Sequence, residues 1–184
     1  AFGFSFFPND FDNKLIHTKS GNGGITREWI LYHKPDEMNY EYAGFLFSLG
    51  LQGYLNSFLS TDIYNYLSTK HLPTCCSILL SLSISKRGSQ DNTLTKALSC
   101  HVLSLIVDKE DADIPSELQT CSLLGLGFLY LQTEHRFTTE VLFNELINPP
   151  INIENREGYS FAAGVGLGLI NLTKGNSMTG LLDL

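Results

Sequence analysis

Four stretches of this chain share one eight-place pattern: small, any, any, apolar, small, Leu, small, apolar. They are GFLFSLGL at 44–51, SILLSLSI at 77–84, CSLLGLGF at 121–128 and AAGVGLGL at 162–169. Their fifth places fall at Ser48, Ser81, Gly125 and Gly166, spacings of 33, 44 and 41 residues. Self-similarity at that period is the mark of stacked helix-turn-helix units, each too small to bury its own apolar face. The pattern predicts an all-α chain, an α-α superhelix of solenoid or toroid type with about four repeats.

Glycine in a helix interior costs about 1 kcal/mol relative to alanine, so Gly164, Gly166 and Gly168 together cost about 3 kcal/mol. Close lateral packing of each repeat's first helix on the next offsets that cost, because small residues let backbones approach. The Leu and Phe places between them bury apolar area worth about 1.5–3 kcal/mol each. The residues assigned to this close packing are Gly44, Ser48, Gly50, Ser77, Ser81, Ser83, Cys121, Gly125, Gly127, Ala162, Gly164, Gly166 and Gly168. The stack is expected to curve strongly, first helices crowded on one side and bulkier second helices on the other.

The rest of the chain supplies the punctuation. Residues 1–39 read as the tail of a preceding repeat (Ala1-Phe2-Gly3-Phe4), a mobile loop over 5–24 and an extended connector over 25–32. Lys34-Pro35-Asp36 then breaks the chain. The solenoid is expected over 40–184, with repeats at about 40–70, 73–107, 116–148 and 156–184, the last truncated in a starting helix at Met178-Thr179-Gly180-Leu181-Leu182. Second helices are expected at 61–67, after a turn from Leu55, at 93–106 and at 138–147 with Thr138 as N-cap. All six prolines fall outside these helices.

Chemistry-bearing patterns are sparse. The net charge is −7 with no basic run, which argues against nucleic acid as a main partner. No stretch reaches 18 uninterrupted apolar residues, which leaves out a membrane span. Cys75, Cys76, Cys100 and Cys121 lie in apolar helical patterns and read as reduced, buried thiols of an intracellular chain. Cys100-His101 reads as a core pair rather than a thiol catalyst, and His135-Arg136 as packing or capping at a turn. Gly164-x-Gly166-x-Gly168 lacks the lysine and the strand-turn-helix setting of a phosphate loop. The acidic segment 107–113 reads as a solvated connection. Asn171-Leu172-Thr173 matches a glycosylation sequon but sits in a helix expected to be buried. No catalytic, metal or cofactor residues are assigned, no small-molecule substrate is expected, and no nucleophile–base constellation converges.

Several phrases outside the repeat core are more specific. They are Ile25-Thr26-Arg27-Glu28-Trp29-Ile30, Asn39-Tyr40-Glu41-Tyr42-Ala43-Gly44-Phe45-Leu46, Ser48-Leu49-Gly50-Leu51-Gln52-Gly53, His135-Arg136-Phe137-Thr138-Thr139-Glu140-Val141-Leu142 before Pro149-Pro150, and Arg156-Glu157-Gly158-Tyr159-Ser160-Phe161-Ala162-Ala163-Gly164. With the repeats, they resemble the proteasome/cyclosome repeat family, over roughly residues 25–184. That family occurs in the two largest non-ATPase subunits of the 26S proteasome and in the largest subunit of the anaphase-promoting complex, and the cyclosome branch is the nearer. Ser81 and Ser83 depart from the family's usual glycine or alanine.

The resemblance implies a non-catalytic scaffold segment of a multi-subunit ubiquitin ligase that controls mitotic progression and exit. Its implied partners are the cullin-like, Doc-domain and TPR subunits and the coactivator, in the nucleus and cytoplasm. The alternative is a direct peptide- or protein-binding repeat module, such as a proteasome-subunit-like receptor for ubiquitin-pathway partners.

Overall fold

The computed structural model describes residues 25–106, 113–150 and 153–173. Among them every regular element is helical: α1 (Arg27–Tyr32), α2 (Tyr40–Leu51), a 3-10 turn (Tyr54–Ser57), α3 (Ser60–Leu67), α4 (Leu72–Ser85), α5 (Asn92–Ser99), a second 3-10 turn (Leu103–Leu105), α6 (Ser116–Leu129), α7 (Arg136–Ile147) and α8 (Arg156–Ile170). The chain is an α-helical repeat solenoid.

Local chemistry sets the helix starts. Asn39 Oδ1 accepts the Tyr42 N–H at 2.7 Å, Asp91 Oδ1 that of Leu94 at 2.9 Å, and Asn155 Oδ1 that of Gly158 at 3.0 Å. Each side chain satisfies an amide that has no partner inside its helix. Pro73 sits in the first turn of α4, where a missing N–H costs nothing.

The four repeat phrases lie in α2, α4, α6 and α8, which pack side by side in that order. Each second helix leans mainly on the first helix that follows it: α3 on α4, α5 on α6, α7 on α8. The sixth-place leucines Leu49, Leu82 and Leu126 are buried, with Leu46, Leu79 and Leu123 at the third place. Leu167, the sixth place of the last phrase, is only half-buried.

Five local expectations change. Residues 25–32 are not extended: Arg27–Tyr32 is helical, started by Thr26 Oγ1 accepting the Trp29 N–H. The helix expected over 93–106 stops at Ser99, and Leu103–Leu105 is a separate 3-10 turn that still buries the neighbouring Val102. Thr138 is not the N-cap of α7; His135 is, its Nδ1 accepting the Thr138 N–H at 3.3 Å. Cys100 is exposed rather than core, and of the other thiols only Cys75 is buried. His101 is half-buried, its Nδ1 2.8 Å from the Ala97 carbonyl. The expectations for 1–24, for most of the acidic segment and for 174–184 lie outside the described residues.

Candidate functional site: the joints between repeats

The assigned small residues meet in a fixed register. The seventh place of each phrase faces the fifth place of the next. A Cβ built on Gly50 would lie 2.1 Å from the Ser81 Cβ and 2.5 Å from its Cα. One on Gly127 would lie 2.4 Å from the Gly166 Cα. Between them, a Cβ on Gly125 would come within 2.9 Å of Ser83 Oγ. The three joints are therefore Gly50–Ser81, Ser83–Gly125 and Gly127–Gly166, and every one has glycine on at least one side. The serines of the second phrase are tolerated because glycine faces each of them.

Those two α4 serines turn their hydroxyls into their own helix: Ser81 Oγ donates to the Ile78 carbonyl at 3.2 Å and Ser83 Oγ to that of Leu79 at 2.7 Å. Both are fully buried, so these bonds remove what would otherwise be unsatisfied polar groups. Ser85 Oγ crosses the first joint and donates to the Gly50 carbonyl at 2.8 Å.

Backbone bonds reinforce the later joints. In the turn after α4, the Gly88 N–H donates to the Phe128 carbonyl at 3.0 Å and the Gln90 N–H to that of Leu129 at 3.2 Å. In the turn after α6, Gln132 and Glu134 repeat this on Leu169 and Ile170, at 3.1 and 3.3 Å. Gly88, Gln90, Gln132 and Glu134 all adopt left-handed φ of 52–70°. The turn thus gives carbonyls in the last turn of the neighbouring first helix a partner from outside it, those of Phe128 and Leu169 also accepting the Leu131 and Leu172 amides that follow them. Neither the register nor these bonds were visible in the sequence.

The other assigned residues are placed differently. A Cβ on Gly166 would meet the Leu123 carbonyl oxygen and Leu142 Cδ1, both at 3.1 Å, and one on Gly164 only Leu146 Cδ1 at 3.8 Å. Ala162 is buried, while Ser48, Ser77 and Cys121 are half-buried. Among the described residues Gly44 and Gly168 meet nothing within 4 Å, so neither needs glycine for room against them. Gly168 is the seventh place of the last phrase.

Polar contacts tie the second helices in. Arg27 clamps Asp62 of α3, Nε to Oδ2 at 2.6 Å and Nη2 to Oδ1 at 2.7 Å, and Asp62 also accepts the Leu59 N–H. The guanidinium, with the Leu59 amide, holds the Asp62 carboxyl below the usual aspartate range. Tyr42 and Tyr66 share a buried hydroxyl bond of 2.7 Å. Tyr159 Oη donates to Glu145 Oε2 at 2.6 Å, joining α8 to α7, and burial pushes the Tyr159 phenol up. Among the described residues no three His, Cys, Asp or Glu side chains gather as a metal site.

Comparison with known proteins decides the family. Residues 92–184 match the family model described as the APC1 fifth domain, and residues 7–87 match the APC1 fourth domain. The chain belongs to the APC1 family. It is 42% identical over 163 residues to the anaphase-promoting complex subunit 1 of Dictyostelium discoideum, covering 87% of this chain and 7% of that protein. It is 38% identical over 167 residues to the human protein of the same name, covering 87% and 9%. It is 35% identical over 189 residues to a protein of Emericella nidulans named negative regulator of mitosis, covering 98% and 9%. The chain thus spans less than a tenth of the length of these relatives.

The two APC1 matches meet in the turn between α4 and α5. The fifth-domain match begins at Asn92, the first residue of α5, the helix that packs more on α6 than back on α4. Yet the Ser83–Gly125 joint crosses that boundary, so the fourth- and fifth-domain segments share one continuous core.

Proposed function

We propose that this chain is a non-catalytic scaffold segment of the anaphase-promoting complex, a multi-subunit ubiquitin ligase of mitotic progression and exit. It supports assembly and holds the coactivator and degron-receptor module in place, with the cullin-like, Doc-domain and TPR subunits as its neighbours in the nucleus and cytoplasm. The observation that carries this reading is the run of three joints in one register, two of them set by backbone-to-backbone approach. Such contacts fix the angle between repeats, which is what a platform requires and a catalyst does not.

The reading is supported by the APC1 family match and by the use of the first helices. At the three joints their small faces are filled by one another, which leaves no groove for a peptide there. A depression of about 510 Å³ lies where Lys34, Asp36, Glu37, Lys70 and His71 converge, but it is open and of mixed charge, a poor hold for an extended ligand.

Reconstitution of the complex with this segment deleted from the full subunit tests the proposal. Substrate ubiquitination is expected to fall, together with coactivator occupancy or subunit recovery. Unchanged assembly and activity would refute it. Labelled degron and coactivator peptides titrated against the segment test the peptide-binding alternative, and saturable micromolar binding would favour it.

A further inference from the structure

The seventh-to-fifth register leaves half a joint at each end of the described stack. Gly50, Ser83 and Gly127 are seventh places matched by the next phrase, and Ser81, Gly125 and Gly166 are the fifth places that receive them. All six are buried. The unmatched places are Gly168, the seventh of α8, which is exposed, and Ser48, the fifth of α2, which is half-buried.

Large apolar side chains stand open on both faces. Phe161 lies seven residues before Gly168, on the same stripe of α8, and is 71% exposed. Leu172, just past the end of that helix, is exposed too. On α2, Tyr40, Gly44 and Leu51 fall on one stripe beside Ser48, the tyrosine 77% exposed. Among the described residues nothing lies within 4 Å of a Cβ built on Gly44 or on Gly168. Neither end therefore carries the polar outer face that closes a repeat array in water.

We propose that these two faces bind each other between copies of this chain: α8 of one copy takes α2 of the next in a fourth joint, Gly168 against Ser48. The chemistry is that of the first joint, where Gly50 meets Ser81, with glycine on the earlier helix and serine on the later in the same two places. The first helices pack side by side in chain order, so what continues the row beyond α8 is another first helix with a small, uncovered fifth place. Among the described first helices α2 alone has one. Covering Phe161, Leu172, Tyr40 and Leu51 supplies the driving force. The contact is heterologous, so each copy keeps one open face and copies add end to end instead of closing as a pair. Glu41 and Glu157 stand exposed in the first turns of the two helices. Like charges thus rim the contact at one end, and salt strengthens it by screening them.

Sedimentation of the unaltered chain over a concentration series tests this. The weight-average mass is expected to climb with concentration past that of a dimer, and to climb further at high salt. Gly168→Glu puts bulk and charge on an open helix surface, and is expected to hold the chain at monomer mass with its melting temperature kept. A mixture of Ser48→Cys and Gly168→Cys chains, one of them isotope-labelled, is then oxidised and digested without reduction. Mass spectrometry is expected to show positions 48 and 168 linked between different copies. A monomer mass at every concentration overturns the proposal, and so does a mass that stops at the dimer. Preferred 48–48 or 168–168 linkage, or a Gly168→Glu chain that associates as before, does the same. Should a variant fail to fold, the mass of the unaltered chain still decides.

Discussion

Gly50 and Ser81 sit so close that a single carbon added to the glycine would land 2.1 Å from the serine Cβ. The atoms it meets include the Ser81 Cα and carbonyl oxygen, which no side-chain rotation can move aside. Gly50→Ala is therefore expected to destabilise the chain by about 1–3 kcal/mol, overpacking outweighing the gain in helix propensity. Gly44→Ala, on the same helix but facing open space, is expected to stabilise by up to about 1 kcal/mol. Thermal or urea melts of the two variants give the comparison, and equal effects would reject the joint as the reason for Gly50.

At the third joint the same logic applies to Gly127, whose facing atoms are the backbone of Gly166. Gly127→Ala is expected to cost about as much as Gly50→Ala, roughly 1–3 kcal/mol. Gly125→Ala should cost less, because the atoms it meets first are the flexible end of Leu98 and the hydroxyl of Ser83. A ranking with Gly125→Ala as the costliest of the three would contradict this account.

The Arg27–Asp62 clamp sets a pH dependence. Asp62 titrates lower folded than unfolded, so the unfolded chain takes up its proton first as pH falls. The stabilisation is complete above the ordinary aspartate range and is lost progressively below about pH 4. Melting temperatures are expected to fall through that window, and Asp62→Asn is expected to flatten the fall while lowering stability at neutral pH. An identical pH profile for the variant would remove Asp62 from the explanation.

Tyr159→Phe takes away the partner of Glu145 Oε2 on a side chain whose Oε1 already has no partner among the described residues. A cost of about 2–3 kcal/mol is expected, more than the lost bond alone because an acceptor is left buried. Glu145→Met combined with Tyr159→Phe should recover much of it. A double-mutant cycle on chemical denaturation measures the coupling; additive losses would show that the pair does not act as a unit.

Gly88 has φ of 70° and gives its N–H to the Phe128 carbonyl. Gly88→Ala is expected to cost about 1–2 kcal/mol through the left-handed backbone. Hydrogen exchange should show lost protection at the Gly88 and Gln90 amides, while amides in the middle of α2 keep theirs.

The phrase spacing made the repeats and the four first helices legible, because a helix apolar on most sides must be covered on most sides. The residues at 25–32 misled for a physical reason. Ile25, Ile30 and Trp29 have extended-chain preferences, but Thr26 caps a helix there and Arg27 reaches Asp62, which lies 35 positions away in sequence. The apolar spacing through Val102 and Leu105 likewise continued a helical pattern past Ser99, although the backbone had already turned and only the burial of Val102 persisted. Gly44 and Gly168 look like their neighbours in the pattern, yet pattern alone carries no information on which places face another helix. That follows from the seventh-to-fifth register, a property of two helices together.

The register has a mechanical corollary. Where backbones touch, a joint has no soft layer to absorb an error, so a small change at Gly127 tilts everything on its far side as one lever. The outward displacement grows with distance from the pivot. A substitution there would thus be felt most strongly at the far end of the stack, where nothing in the local chemistry had been altered.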